Sequence, residues 1–309
     1  MANEKELEME EIHCYDKFLG DPEPFLPKEE CRFYIISAPY EETVSFEGGT
    51  AKGPAALIAA SDQLEYWDGE SAPWEEGIYT GPVVDCAGEP EAVLGRIEAA
   101  VEEAIRNGSI PVTLGGEHTI TLAPVRALTK HYGNDFGIVH FDAHGDLRYI
   151  YDGTLYSHGC VLRRCCELGV KLFQVGIRSL CEEEEQFRKD YGVGHLDGLE
   201  LARMGGMNAI LAPNFTLLPP DFPRDIYVSF DVDAFSSAIM PATGTPDPAG
   251  LGWYEAIFLL EHAIRGRNVI GFDVVELAPY PGFHSSDLAA AKLTYNIMGI
   301  ISRLAAGKR

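Results

Sequence analysis

Basic residues are scarce in this chain. Its 309 residues hold 24 Lys and Arg against 48 Asp and Glu, a formal net charge of −24 at pH 7. Nucleic acid and anionic membrane surfaces both select a basic footprint, so both are poor partners here. Long apolar runs are missing too, and none reaches the roughly 18 residues of a membrane span. Cysteine is present without a framework: Cys14, Cys31, Cys86, Cys160, Cys165, Cys166 and Cys181 are odd in number and include no C-x-x-C. That pattern argues against a disulfide scaffold and for reduced thiols in the cytoplasm. Met1 to Glu11 has neither the basic nor the apolar stretch of a signal peptide. Phosphate-cradling glycine motifs are absent, since Gly48-Gly49 and Gly115-Gly116 fit neither G-x-G-x-x-G nor G-K-[ST].

What is present is a globular composition, 46% hydrophobic. Residues 1–30 read as a polar arm, lying on the surface or against a neighbouring subunit, and 31–309 as one domain. In the domain, apolar runs alternate with helical patterns. RFYIIS (32–37), IPVTL (110–114), FGIVHF (136–141), KLFQVGI (171–177), DIYVSF (225–230) and NVIGFDVV (268–275) read as buried strands. Helices are expected from Gly53-Pro54 to about Glu65, from Glu89 to Asn107, and over Thr119–His131, Glu182–Lys189, Trp253–Arg265 and Ser286–Leu304. In the second of these, Val93, Ile97, Val101 and Ile105 share one face. Buried strands alternating with helices predict an α/β fold, a three-layer αβα sandwich around a mostly parallel sheet.

In such sheets ligands bind at the carboxyl ends of the strands. Four of the runs end in polar residues: Gly115-Gly116-Glu117-His118, Asp142-Ala143-His144-Gly145-Asp146, Asp231-Val232-Asp233, and Glu276. A spacing of two puts Asp142, His144 and Asp146 on one side of an extended segment. Carboxylates crowded in this way repel unless a cation lies between them. A single D-x-H-x-D also occurs in surface loops or around a lone structural ion; the second D-x-D and the Gly-Gly-Glu-His make a shared site the stronger expectation. His118, Asp142, His144, Asp146, Asp231 and Asp233 are too many ligands for one four-coordinate zinc and suit two bridged metals. Oxygen with some imidazole and no thiolate favours manganese. His158, in Tyr156-Ser157-His158-Gly159, reads either as a structural histidine or as a proton shuttle. Glu276 reads either as an exposed acid or as part of the site. Thr243-Gly244-Thr245-Pro246 and Gly250-Leu251-Gly252 read as plain connections or site loops. Cys160, Cys165 and Cys166 are expected in the core, and Glu182–Glu185 as a solvated helix start.

These four blocks, in this order over roughly residues 30–305, resemble the signature blocks of the ureohydrolase (arginase/agmatinase) family. Tyr156–Gly159, Pro241–Pro246 and Gly252-Trp253-Tyr254-Glu255 resemble its agmatinase branch. The resemblance implies the arginase-like three-layer fold and a binuclear manganese centre held by the six residues named above, two Mn2+ per subunit. It implies hydrolysis of the guanidino group of agmatine to putrescine and urea, a step in polyamine biosynthesis, with a metal-bridging hydroxide attacking the guanidinium carbon. His158 then matches the proton-shuttling histidine and Glu276 the acid that grips the guanidinium. A small cationic guanidino substrate and a homo-oligomer, trimer or hexamer, are implied as well. The sequence departs from the family pattern at Glu117, Gly145, Glu47-Gly48, Ser236-Ser237 and Ala249, none of them a ligand. Leu147-Arg148-Tyr149 lacks the Asn with which the arginase branch binds an amino-acid head group, which disfavours arginine. Guanidinobutyrate, guanidinopropionate and aminopropylagmatine stay open as alternatives, and Arg148 suits a carboxylate tail. The other alternative is a catalytically silent oligomeric relative.

Overall fold

The β-branched and aromatic runs pair side by side into one sheet. The computed structural model describes residues 17–20 and 26–305. Its strands are β1 (Phe33–Ala38), β2 (Ile78–Thr80), β3 (Ile110–Gly115), β4 (Gly137–Phe141), β5 (Lys171–Val175), β6 (Gly194–Leu196), β7 (Asp225–Asp231) and β8 (Asn268–Val275). They form an eight-stranded sheet in the order β2-β1-β3-β8-β7-β4-β5-β6. Every pairing is parallel.

The helices are α1 (Gly53–Ser61), α2 (Pro90–Asn107), α3 (Leu122–Tyr132), α4 (Val161–Glu167), α5 (Glu182–Tyr191), α6 (Gly198–Met204), α7 (Met207–Ile210), α8 (Trp253–Ile264) and α9 (Ser285–Leu304). Strand side chains alternate between two cores. Phe33, Ile35, Val228 and Phe230 pack with Leu57 of α1, Leu259 of α8 and Leu293 of α9. Tyr34, Ile36 and Tyr227 pack with Ile97 of α2, Leu128 of α3 and Cys165 of α4. Both faces of the sheet are therefore covered, which is why its strands read as nearly continuous apolar runs. α2 buries Val93, Ile97 and Val101, opens with Pro90 in its first turn and stops at Gly108 in a left-handed conformation (φ 81°).

The three-layer expectation holds, with local differences. α1 stops at Ser61 rather than near Glu65, because Gln63 N and Leu64 N turn back onto Ala60 O and Ser61 O. The helix after β3 starts as a tighter turn over His118–Thr121. β2 and β6, three residues each, and the short α4, α6 and α7 carry too little periodicity to be read from sequence. Of the N-terminal arm, Phe18 and Leu19 are buried. The Phe18 ring lies 6.4 Å from that of Tyr295, and Leu19 N donates to Ser61 Oγ. Residues 1–16 and 21–25 of the arm lie outside the described residues. Among the described residues no helix is long and apolar enough to cross a membrane.

The chain passes from β3 to β4 by leaving two places in the sheet, which β8 and β7 fill later. The four central strands are thus β3, β8, β7 and β4. They are the four whose carboxyl ends carry the polar blocks, and the reversal between them opens the crevice where open α/β sheets bind ligands.

Candidate active site

Each block leaves its strand by a different device. After β3 the backbone passes so close to Tyr40 that a Cβ on Gly116 would lie 1.9 Å from Tyr40 O. Glycine is required there, and the turn delivers His118 into the crevice. After β4 the chain leaves the sheet at Asp142. Asp146 sits at φ 54°, and Leu162 N donates to its carbonyl. The extended spacing expected for Asp142, His144 and Asp146 therefore ends before Asp146, and a folded loop turns that carboxylate inward. At the end of β7, Asp231 Oδ1 accepts from Asp233 N at 2.8 Å. At the end of β8, Glu276 is held at φ 66°. Both acids are held in a backbone region unfavourable to side chains, which persists only where the surrounding structure fixes it.

The six predicted side chains converge. His118 Nδ1 lies 3.1 Å from Asp142 Oδ2, 3.1 Å from Asp146 Oδ2 and 3.3 Å from Asp231 Oδ2. His144 Nδ1 lies 3.0 Å from Asp233 Oδ2 and 3.4 Å from Asp142 Oδ1. Asp142 belongs to both clusters, one oxygen to each. Around an octahedral ion with bonds of roughly 2.1 Å, neighbouring donors lie roughly 3 Å apart, which is the spacing seen.

The electrostatics call for cations. Ser229 Oγ donates to Asp273 Oδ1 at 2.8 Å, so at 2.9 Å it accepts from His118 Nε2. The His118 proton then sits on Nε2, and Nδ1, which is buried and has no hydrogen-bond partner, aims its lone pair at three carboxylates. That is tenable only with a proton or a metal between them. Burial works against a charged His144, yet Asp142 and Asp233 hold its pKa up to about 12. Burial, together with Asp233 and Asp142, pushes the Asp231 carboxyl well up. Divalent cations remove these conflicts at once. The donors fit a binuclear metal site, of which Asp142 would be the shared ligand.

Glu276 is buried, 5% exposed, so its reading as an exposed acid does not hold. Glu276 Oε1 accepts from His118 N at 2.6 Å. Oε2 faces Gly244, where a Cβ would lie 3.7 Å away. Burial and the nearby Glu117 push its carboxyl well up. The Thr243–Pro246 segment belongs to the site, since Thr245 Oγ1 also donates to Asp233 Oδ2 at 3.3 Å.

His158 lines a cavity of about 350 Å³ with His144, Asp146, Arg148, Tyr151 and Glu184. Thr43 Oγ1 donates to Glu117 Oε1 at 2.7 Å, so it accepts from His158 N at 3.2 Å and from Nδ1 at 3.3 Å. His158 Nε2 stays outward, 3.2 Å from Ser45 Oγ. Glu117, one of the departures from the family pattern, also accepts from Glu42 N and Thr43 N, both at 2.7 Å. It pins the 42–45 loop against His158. Glu184 is a correction: it is 3% exposed rather than solvated, and it accepts from Leu147 N and Cys181 N. Cys160, Cys165 and Cys166 are buried, as expected, and burial raises all three thiols.

Sequence reasoning missed Thr43, Ser45, Ser229, Asp273 and His140. His140 Nε2 lies 2.8 Å from Asp142 Oδ2. The available signal was a histidine inside an otherwise apolar strand run.

Comparison with known proteins identifies the family. A family model described as the Arginase family matches residues 31–299. The chain belongs to the arginase family. Among its relatives, the N(1)-aminopropylagmatine ureohydrolase of Synechocystis sp. is 34% identical over 303 residues, covering 93% of this chain and 97% of that one. The agmatinase of Pyrococcus horikoshii is 34% identical over 289 residues, 91% and 95% of the two chains. The structure of the agmatine ureohydrolase of Thermoplasma volcanium superposes with a TM-score of 0.80 at 28% identity, covering 96% of this chain and 97% of that one. This arginase-family chain is an agmatinase-like ureohydrolase, and so an enzyme.

Proposed function

We propose that this chain hydrolyses the guanidino group of a linear guanidino amine, with agmatine as the first reading, giving putrescine and urea. The observation that carries the proposal is the convergence of two histidines, four aspartates and Glu276 at the ends of the four central strands. His118, Asp142, Asp146 and Asp231 would hold one manganese ion, and Asp142, His144 and Asp233 the other. When bound, such a pair lowers the pKa of water so that hydroxide exists near neutral pH. The remaining work falls to the chain. Glu276 offers Oε2, and the free side of Oε1, to the guanidinium N–H groups as a charge-assisted clamp that sets the carbon over the nucleophile. His158, held through Nδ1 by Thr43, carries a proton at Nε2 to the departing amine. Water adds across the C–N bond, so urea and the protonated amine leave.

The chain's net charge of −24 supports an amine-tailed over an acid-tailed substrate. A second reading, N1-aminopropylagmatine, is favoured by the names of the Synechocystis relative and of a Thermus thermophilus relative that is also 34% identical. The same reading keeps residues 31–309 as one catalytic domain behind an arm, in a cytoplasmic trimer or hexamer, which light scattering would count. The test of substrate is urea release by manganese-loaded protein from agmatine, N1-aminopropylagmatine, arginine and guanidinobutyrate. Turnover of an amine-tailed compound is expected to dominate. A preference for guanidinobutyrate would move the tail assignment to Arg148, and urea from none of them would overturn the hydrolytic reading.

A further inference from the structure

We propose that a chain of side chains, Asp197–Arg188–Gln174–His140, buried from Arg188 inward, positions Asp142 as the carboxylate shared between the two metal clusters. The inference rests on reading Asp142 as a metal ligand. It assigns roles to four residues that the proposed chemistry does not otherwise use.

The geometry is set by strand register. His140 on β4 and Gln174 on β5 are direct partners in the parallel ladder, and Gln174 is the partner of His195 on β6, two residues before Asp197. His140 and Gln174 are 0% exposed and Arg188 of α5 is 2% exposed. Polar groups buried so deeply persist only when their hydrogen bonds are satisfied.

The proton inventory has one solution. Arg188 grips Asp197 through both terminal nitrogens, at 3.1 Å each, and its Nε donates to Gln174 Oε1 at 2.8 Å. An arginine has no acceptor, so the Gln174 amide cannot be flipped. Gln174 Nε2 therefore holds the two donors, which go to Gly145 O at 2.7 Å and His140 Nδ1 at 3.0 Å. With Nδ1 accepting, the His140 proton sits on Nε2 and is donated to Asp142 Oδ2 at 2.8 Å. His140 lies close enough to His118, Asp142 and Asp146 to be counted with them as a metal group. The proton on Nε2 makes it a donor to the ligand instead. It also turns Asp142 so that Oδ2 faces the His118 cluster and Oδ1 the His144 cluster. The bond from Gln174 to Gly145 O steadies the loop that carries His144 and Asp146. One amide thereby braces the shared carboxylate and the loop beyond it.

The test is manganese titration of chelator-stripped protein by calorimetry, with melting curves of the metal-free form as the folding control. Partners that orient metal ligands are typically worth ten- to hundredfold in metal affinity. Gln174→Glu is nearly isosteric and keeps the Arg188 contact, but it loses both donors. It is expected to weaken manganese binding ten- to hundredfold, and His140→Phe to do the same. His140→Gln, which retains an N–H donor, is expected to recover part of the loss. Wild-type affinity in both Gln174→Glu and His140→Phe would overturn the proposal. Loss of one ion of the two in His140→Phe, with the other bound normally, would overturn it by making His140 a ligand. Failure of the wild type itself to bind manganese, or full binding by Asp142→Asn, would overturn the metal-centre reading instead.

Discussion

Glu276→Gln separates clamp from scaffold because the structure dictates how the new amide must lie. His118 N donates to Glu276 Oε1 at 2.6 Å. A glutamine must keep its carbonyl there, so its NH2 occupies the Oε2 position and points at the substrate. Donor then meets donor, and the guanidinium loses its counter-charge. A hydrogen bond to a charged group is worth about 1.5–3 kcal/mol. Two such contacts are weakened, with one lone pair of the carbonyl still in reach, so the net loss is about 3 kcal/mol. That is roughly a hundredfold in kcat/KM. The His118 bond is preserved, so manganese content should not change. The folded state should gain: burial raises the Glu276 carboxyl, so its ionised form costs stability at neutral pH, and the neutral amide removes that cost. The assay is steady-state urea release together with metal analysis and a melting curve. A loss below fivefold would refute the clamp. Manganese lost together with activity would refute the separation of Glu276 from the metal centre.

Thr43→Val should remove the hydroxyl that joins Glu117 to His158, lowering kcat about tenfold, a part of the roughly 10²–10⁴-fold that a positioned general acid–base supplies, with little change in KM. An unchanged kcat would detach His158 from proton transfer. Manganese affinity should rise with pH: in the metal-free protein, Asp142 and Asp233 hold the His144 proton with a pKa of about 12, so binding must expel it and acid must oppose binding. Calorimetry in buffers of different ionisation enthalpy counts the protons released, and a count of zero would refute the sign. Phe230→Ala should cost about 3–5 kcal/mol, because Phe230 is fully buried, stacked on Phe141 at 5.1 Å and packed on Phe235 at 5.2 Å. Chemical denaturation measures it, and a cost under 1 kcal/mol would show that the core refills.

The α/β architecture and the Asp and His blocks that converge in it were legible from sequence for a simple reason. Both are local patterns: apolar runs that need cover on two faces, and Asp and His at short spacing where those runs end. Even the place where these blocks meet followed, since parallel strands all point their carboxyl ends one way. Local pattern carries no long-range pairing, however. Only the fold matched Gln174 to His140, because register is a relation between strands far apart in the chain. Only the fold showed that Glu276 is buried, and that Glu184 caps a helix inside the crevice wall while its neighbours in the same acidic run face solvent. Thr43 looks like any loop threonine until Glu117, itself bent inward by a glycine turn, accepts a hydrogen bond from its hydroxyl and so turns the oxygen's lone pairs toward His158. Residue types and spacing, written along the chain, determined which chemistry is available. Tertiary structure decided which atom faces which, and so which side chains hold the reacting groups in place.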